Sequence, residues 1–381
     1  MVLASGKYVH PDRELVSTVT ADAGREGQAF DWLASCLALQ ASPFCEEPVI
    51  THVISLAHHE GLPVTRDAVG NVMIHWPGLE RQPGWIFQAH ADHPGFVIGE
   101  ARGRRAIGLW LGDADPKALD GGRVRAGEAI GRVRRLGDGP CWTHQIGMDF
   151  DRPVRAGEFG SWDLPPVSFE GDEIVALAID DLVGVALASR AVLQAMQRKT
   201  AHPVAAVLTR GEEVGFFGAL RAVDHTWPVD GTWINIDASP ETEVVQQGGG
   251  VVIRSGDRYS EFDLRVIRRL EEISSESGLE GSARTARMTG GICEATVLSA
   301  AGKPCAALAL PVKFHHDKGP SSTVTSERIL RSDFLAADRL VDAILAEAPA
   351  IDARTRERDD EVLDRFASRL IPLERLLDLS G

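Results

Sequence analysis

Residues 203–223 read PVAAVLTRGEEVGFFGALRAV, and their pattern indicates the architecture that we expect. The apolar run 204–208 predicts a buried strand, and residues 216–223 predict a short helix. Glu212 and Glu213 lie in the turn between the two elements. A strand that leads into a helix is the unit of an open α/β sheet, in which ligands bind beyond the carboxyl ends of the strands.

Four other apolar runs also lead to an acid or a histidine. They end at His90 after WIFQA, at Asp180 after IVALAI, at Asp237 after WINI, and at His315–His316 after ALALPVKF. If the five strands lie side by side and parallel, these side chains converge on one crevice at the carboxyl edge of the sheet.

The converging side chains predict a metal site. Three ligand carboxylates cannot all stay ionised in a half-dry crevice without nearby cations. Arg210 and Lys313 are the candidate basic side chains near these motifs. Two divalent cations would balance three carboxylates and one bridging hydroxide. Imidazole nitrogens and carboxylate oxygens suit Zn²⁺ or Co²⁺, of which we expect Zn²⁺.

Each motif taken alone also has a structural explanation. His90 could be an ordinary core histidine, and Asp180–Asp181 could cap the helix that follows. Glu212–Glu213 could complement a helix dipole, and Asp237 could open a turn at Ser239–Pro240. The combination is more specific than any of its parts.

The chain divides into regions of different texture. Residues 95–172 contain short apolar pieces broken by Gly, Pro, Asp and Arg, which predicts an inserted small β-barrel-like domain. Residues 1–94 and 173–349 would form a discontinuous catalytic domain, a three-layer α/β/α sandwich. Residues 350–381 carry apolar side chains at helical spacing, which predicts a helical tail packed on its own domain or on another subunit.

Several local elements follow from the same patterns. A turn at Gly70–Asn71 is expected between two short strands. Helices are predicted over 25–40, 46–60, 258–278 and 326–347.

Composition excludes several function classes. The 381 residues carry a net charge of −15, which argues against a nucleic-acid binder. No segment approaches the roughly 18 apolar residues of a membrane span, and the first residues lack the pattern of a signal peptide. The five cysteines are scattered, which favours free thiols in a reducing compartment. We therefore expect a cytoplasmic protein without a nucleic-acid or membrane partner.

Four stretches resemble the M42 family of metallo-aminopeptidases, also labelled glutamyl aminopeptidase or endoglucanase M, in the co-catalytic metallopeptidase clan. They are DAVGNV (67–72), HADHPGF (90–96), LTRGEEVGFFGA (208–219) and PVKFHH (311–316). The resemblance spans about residues 25–345, including the inserted β domain.

The resemblance implies a role for each motif residue. Five ligands would hold two metal ions: His90 and Asp237 on one, Glu213 and His316 on the other, and Asp180 bridging both. Glu212 would be the general base. Asp92 would accept the second imidazole N–H of His90 and fix its tautomer. Asp181 is not expected to be a ligand.

The chain departs from the family at several positions. His93 stands where the family usually has Glu, Leu182 where it has Arg or Lys, and Cys293–Glu294 where it tends to have Thr-Asp. Spacing from Pro311 favours His316 over His315 as the last ligand. No departure removes a ligand, but the substrate preference stays open.

The resemblance implies a dinuclear metal-dependent aminopeptidase that removes N-terminal residues from short peptides. Its nucleophile would be a metal-bridged hydroxide, and no organic cofactor is expected. A dimer-based homo-oligomer, up to a larger hollow particle, is also implied. One alternative is a metal-dependent hydrolase of acylamino acids or other small amides, and another is a catalytically inactive scaffold.

Overall fold

The computed structural model describes residues 21–75, 84–165, 167–223, 231–243 and 245–349. The expected tail helix at 350–381 lies outside these residues. Within them, none of the helices is both long enough and apolar enough to cross a membrane. All five cysteines are free thiols.

An eight-stranded sheet forms the centre of the larger domain. Its strands, from one edge to the other, are β1 (Val64–Arg66), β2 (Val72–His75), β12 (Val204–Thr209), β3 (Gly84–His90), β13 (Gly231–Pro240), β16 (Cys305–Val312), β14 (Val251–Gly256) and β15 (Ala283–Arg287). The central strands β12, β3, β13 and β16 are parallel, so their carboxyl ends meet at one edge. Strands β1 and β2 form the predicted hairpin.

Helices cover both faces of this sheet. On one face α3 (Ile179–Arg198) packs against β3, β12 and β13, and α1 (Ala21–Leu37), α2 (Glu47–His59) and α7 (Arg331–Leu345) pack against α3. Two short helices, α4 (Phe217–Arg221) and α6 (Ala295–Ala300), pack against β12, β13 and β16. The predicted α/β/α sandwich is confirmed.

Helix α5 (Leu264–Glu276) shows how local sequence sets a helix boundary. Its buried side chains recur at helical spacing, namely Val266, Ile267, Leu270 and Ile273. The carboxylate of Asp263 accepts the backbone N–H of Arg265, which caps the first turn. The helix therefore starts several residues after the predicted position 258.

A closed six-stranded barrel occupies most of the segment between β3 and α3. Its order is β4 (Gly95–Arg102), β5 (Arg105–Leu111), β8 (Thr143–Phe150), β7 (Ala129–Asp138), β6 (Asp120–Ala126) and β9 (Phe159–Trp162). It has its own core, which includes Phe96, Trp110 and Trp162. The barrel-like insertion is confirmed, and the boundaries at 95 and 172 stay a prediction.

A third, small sheet corrects two predictions. Strand β11 (Glu173–Ala176) pairs antiparallel with β10 (Ser168–Glu170) and β17 (Glu327–Leu330), and none of these belongs to the main sheet. The run before Asp180 is therefore not a fifth parallel strand. Because β17 precedes α7, the helix predicted from residue 326 begins at Arg331. Strands β14 and β15 were not predicted.

Candidate metal centre

The parallel strands bring their polar side chains to one edge of the sheet. His90 ends β3 beside Thr209, the last residue of β12. Glu212 and Glu213 follow in a turn that starts at Gly211, whose φ of 62° favours glycine. Asp237 lies on β13. For these strands the predicted convergence is observed.

Asp180 reaches the same edge from a different element. It lies in the first turn of α3 with a non-helical ψ of 105°. Oδ1 of Asp180 is 3.2 Å from Nε2 of His90. Oδ2 lies 2.8 Å from Nε2 of His315 and 3.3 Å from Nε2 of His316. One buried carboxylate thus contacts three imidazoles.

Among the residues that the structure describes, three groups of side chains could each hold a metal ion. They are His90–Asp180–Glu213, Asp180–His315–His316 and Asp180–Asp181–Asp237, and the ligand atoms of each group lie within 4.8 Å of one another. Asp180 occurs in all three, which suits a bridging position. Asp181, which the sequence did not favour as a ligand, occurs in one.

The two adjacent histidines differ in their surroundings. Both approach Asp180, but Nε2 of His316 also lies 3.2 Å from Oε1 of Glu213. His315 contributes to the group around Asp180 and is more exposed than His316. The additional carboxylate contact favours His316 over His315 as a metal ligand.

The electrostatics of the cluster fit divalent cations. Burial, followed by the charge of Asp180, raises the pKa of Asp237 to about 7. Burial and the neighbouring acids Glu213 and Asp237 likewise raise the pKa of Glu212 well above its usual range. Oδ2 of Asp181 is buried without a hydrogen-bond partner among the described residues. Crowded carboxylates with an orphaned oxygen are stabilised by bound metal ions.

Asp92 contacts both His90 and the Glu212–Glu213 turn. Nδ1 of His90 lies 3.1 Å from the main-chain oxygen of Asp92 and 3.6 Å from its carboxylate. The carboxylate accepts the backbone N–H groups of Glu212 and Glu213 at 3.0 and 3.1 Å. The closer partner of His90 is thus the carbonyl rather than the expected carboxylate, which instead holds the Glu212–Glu213 turn.

Arg254 supplies a positive charge that was not predicted from the sequence. Its side chain is 2% exposed, and Nη1 lies 3.6 Å from Oδ2 of Asp237. Arg210, a predicted candidate, instead binds Glu46 at 2.8 Å. Lys313 lines the cleft, with Nζ 3.9 Å from Glu173. The available signal was a single arginine inside the apolar run VVIRSG.

Glu327 is a second residue near the centre that was not predicted from the sequence. Its Oε2 accepts the backbone N–H of Asp180 at 2.8 Å, and its Oε1 accepts that of His316 at 2.7 Å. One buried carboxylate on β17 therefore fixes two residues of the centre. No spacing rule connects Glu327 to either of them.

The departures from the family pattern occupy the surroundings of the centre. Nδ1 of His93 lies 2.5 Å from the main-chain oxygen of Asp180, and its Nε2 lies 3.0 Å from Asp317. Leu182, Cys293 and Glu294 are buried, and none of the three is among the described residues that line the cleft.

A cleft of about 1160 Å³ opens over the centre. Trp142 of the barrel and Phe216, Tyr259 and Phe314 of the larger domain contribute to its wall. Glu212 also lines it. The cleft is large enough for a short peptide.

Residues 149–331 match the model of the M42 glutamyl aminopeptidase family. The resemblance to the M42 family is confirmed. A putative aminopeptidase from Acetivibrio thermocellus is 28% identical over 152 residues, which cover 39% of this chain and 46% of that relative. The chain thus matches slightly less than half of that relative's length.

Solved structures share the fold with this M42-like chain. An aminopeptidase from the archaeon Desulfurococcus kamchatkensis has a TM-score of 0.71 at 20% identity, covering 90% of this chain and 98% of that one. The Pyrococcus horikoshii TET1 peptidase, which can assemble into a tetrahedron or a large octahedral shell, has a TM-score of 0.70 at 20% identity, covering 84% and 99%. The family match supports a hydrolase that acts on peptides.

Proposed function

We propose that this protein is a two-metal aminopeptidase that removes N-terminal residues from short peptides. The observation that carries the proposal is the position of Asp180, which contacts His90, His315 and His316 beneath a cleft that Glu212 lines. The M42 match supports the choice of a peptide as substrate.

The proposed ligand set comes from five segments of the chain. His90 and Asp237 would hold one ion, Glu213 and His316 the other, and Asp180 would bridge them. Bound Zn²⁺ or Co²⁺ would polarise the scissile carbonyl and acidify water. The carboxylates of the centre also suit the free amine of a peptide N-terminus.

Glu212 is the proposed general base. It is half-buried in the cleft, and Asp92 fixes its backbone N–H at 3.0 Å. The raised pKa of its carboxyl group suits proton transfer in both directions. Glu212 takes a proton from water and then delivers it to the leaving amine.

Replacing Glu212 with Gln tests this role. We expect the variant to keep two metal equivalents, measured by elemental analysis, while kcat falls by roughly 10²–10⁴-fold. Near-normal turnover would contradict the assignment. Glu241→Gln is a matched control, since Glu241 also lines the cleft and has no proposed part in proton transfer.

The activity itself is tested on a mixed peptide library by mass spectrometry. Metal-loaded protein should shorten peptides stepwise from the N-terminus, and a chelator should abolish the reaction. N-acetylated peptides should be inert. Their cleavage, with free N-termini left intact, would favour the hydrolase of acylamino acids or small amides, and an unchanged library from metal-loaded protein would favour the inactive scaffold.

We also propose that the protein acts in the cytoplasm as a homo-oligomer built from dimers. The shells of the Pyrococcus horikoshii TET1 peptidase support assembly of this fold. Light scattering should give a mass several times the subunit mass of 41.1 kDa. A mass near one subunit would contradict it.

A further inference from the structure

His316 presents its two ring nitrogens to different parts of the molecule. Nε2 faces the centre, 3.3 Å from Asp180 and 3.2 Å from Glu213. Nδ1 is buried and has no hydrogen-bond partner within the described residues. A histidine that binds a metal almost always donates its other N–H to a carboxylate, a carbonyl or water.

The carboxylate that faces this nitrogen comes from the barrel. Oδ2 of Asp113 lies 3.6 Å from Nδ1 of His316, slightly beyond hydrogen-bond distance. The same oxygen forms a salt bridge with Lys318, two residues after His316. Asp113 therefore contacts the His316 segment at two points.

The backbone beside Asp113 is shaped for this close approach. Gly112 directly follows the barrel strand β5 and has a φ of 90°. A Cβ atom at Gly112 would lie 3.2 Å from the Cβ atoms of Glu213 and Pro94. The loop thus lies directly against one proposed ligand, Glu213, while its next residue faces another, His316.

The two proposed metal histidines can be compared directly. Nδ1 of His90 lies 3.1 Å from the main-chain oxygen of Asp92, a residue of its own segment. The corresponding nitrogen of His316 faces a residue about 200 positions away, in the inserted barrel. The larger domain completes the first contact, whereas the second needs the barrel.

We propose that Asp113 is a positioning residue, which accepts the Nδ1–H of His316 and thereby fixes Nε2 toward the metal centre. This inference rests on the proposed two-metal function. It makes the barrel a part of the metal site rather than only a wall of the cleft. Closing the gap from 3.6 Å to a hydrogen bond needs a side-chain shift of less than 1 Å.

The test measures Zn²⁺ affinity by competition with a chromophoric chelator, using full-length protein stripped of metal. Asp113→Ala should weaken one of the two sites by roughly 10- to 100-fold. Asp113→Asn should lose less Zn²⁺ affinity than Asp113→Ala, because the amide oxygen can still accept the Nδ1–H of His316. Thermal melting of the metal-free variants checks that they are folded, and Asp113 is half-exposed, which favours this.

Two control variants separate positioning from mere tethering. Lys318→Met removes the salt bridge but leaves the carboxylate beside His316, so its Zn²⁺ affinity should stay near that of the wild type. Asp115→Asn changes an acid of the same loop that accepts the N–H of Lys117, and it should also behave like the wild type.

Three outcomes would overturn the inference or its basis. Unchanged affinity in Asp113→Ala would refute the positioning role alone. An equal loss of Zn²⁺ affinity in Lys318→Met and Asp113→Ala would show that Asp113 acts only through its salt bridge with Lys318. Wild-type protein that binds no divalent metal would refute the proposed function as well, so the two failures are distinguishable.

Discussion

The candidate centre has two halves that are built differently. His90, Glu213 and Asp237 come from the parallel strands β3, β12 and β13, or from the turn directly after them, so the ladder of the main sheet sets their spacing. Asp180 and His316 come from a helix start and a loop, outside any strand of that sheet. In this second half, the carboxylate of Glu327 takes the place of a sheet ladder.

The difference shows that one site can be positioned by two kinds of hydrogen bond. In the first half, the sheet half, many backbone bonds of the strand ladders set the positions of His90 and Asp237. Only the Glu212–Glu213 turn depends on a side chain there, the carboxylate of Asp92. In the second half, the loop half, the backbone N–H groups of Asp180 and His316 both depend on the carboxylate of Glu327. We therefore expect substitutions in the loop half to disturb the metal site more widely.

The largest effect is expected at the residue that joins the halves. Asp180→Ala removes the carboxylate that contacts three imidazoles, so at least one of two metal equivalents and essentially all turnover should be lost. Elemental analysis of the dialysed variant measures this. Retention of two equivalents would show that Asp180 does not bridge.

A smaller effect is expected when the carboxylate of Glu327, which holds the loop half, is removed. Glu327→Ala leaves two buried N–H groups without a partner, which should lower the free energy of unfolding by about 2–5 kcal/mol. Urea unfolding of the metal-free protein measures it. Glu170→Gln, an exposed acid of the same small sheet, should change stability by less than about 0.5 kcal/mol. Equal stability of Glu327→Ala and the wild type would show that the two halves do not differ.

The smallest effect is expected at Glu294, a buried acid that contacts strands β3 and β12 of the sheet half. Burial raises the pKa of Glu294 from 4.5 to about 7, although Thr209 and Gln88 donate to its carboxylate. A raised carboxyl pKa contributes stability fully below pH 4.5, and this contribution is lost as the pH rises through 7.

Glu294→Gln should therefore gain stability over the wild type at pH 8, by up to about 3 kcal/mol, and little at pH 5. Urea unfolding of the metal-free proteins at both pH values measures the difference. Glu272→Gln, at an exposed position on α5, controls for the loss of one negative charge. A gain that is the same at pH 5 and pH 8 would contradict the titration of Glu294.

The sheet half could be predicted from sequence because its signals are local. Each of the runs before His90, Glu212 and Asp237 is apolar, and a central parallel strand is buried on both faces. The run before Asp180 looks the same, yet β11 pairs in the small antiparallel sheet. An apolar run alone does not reveal which sheet a strand joins.

The supporting residues could not be predicted because their partners are distant in the chain. Glu327 holds Asp180 across 147 positions, and Arg254 faces Asp237 from a strand that was not predicted. Such contacts depend on the folded topology, and a lone buried charge gives no indication of its partner. The contact between Asp113 and His316 likewise joins residues that are distant in the chain.

The place of the barrel in the chain also affects how the centre assembles during folding. His90 and Asp180 are 90 positions apart, yet their side chains lie 3.2 Å from each other. Joining the ends of a flexible loop of that length costs about 4 kcal/mol of chain entropy. A barrel that folds first keeps its two ends close together and removes most of this cost. We therefore expect the barrel to act as a folding nucleus for the nascent chain, with the metal ligands brought together only after it has closed.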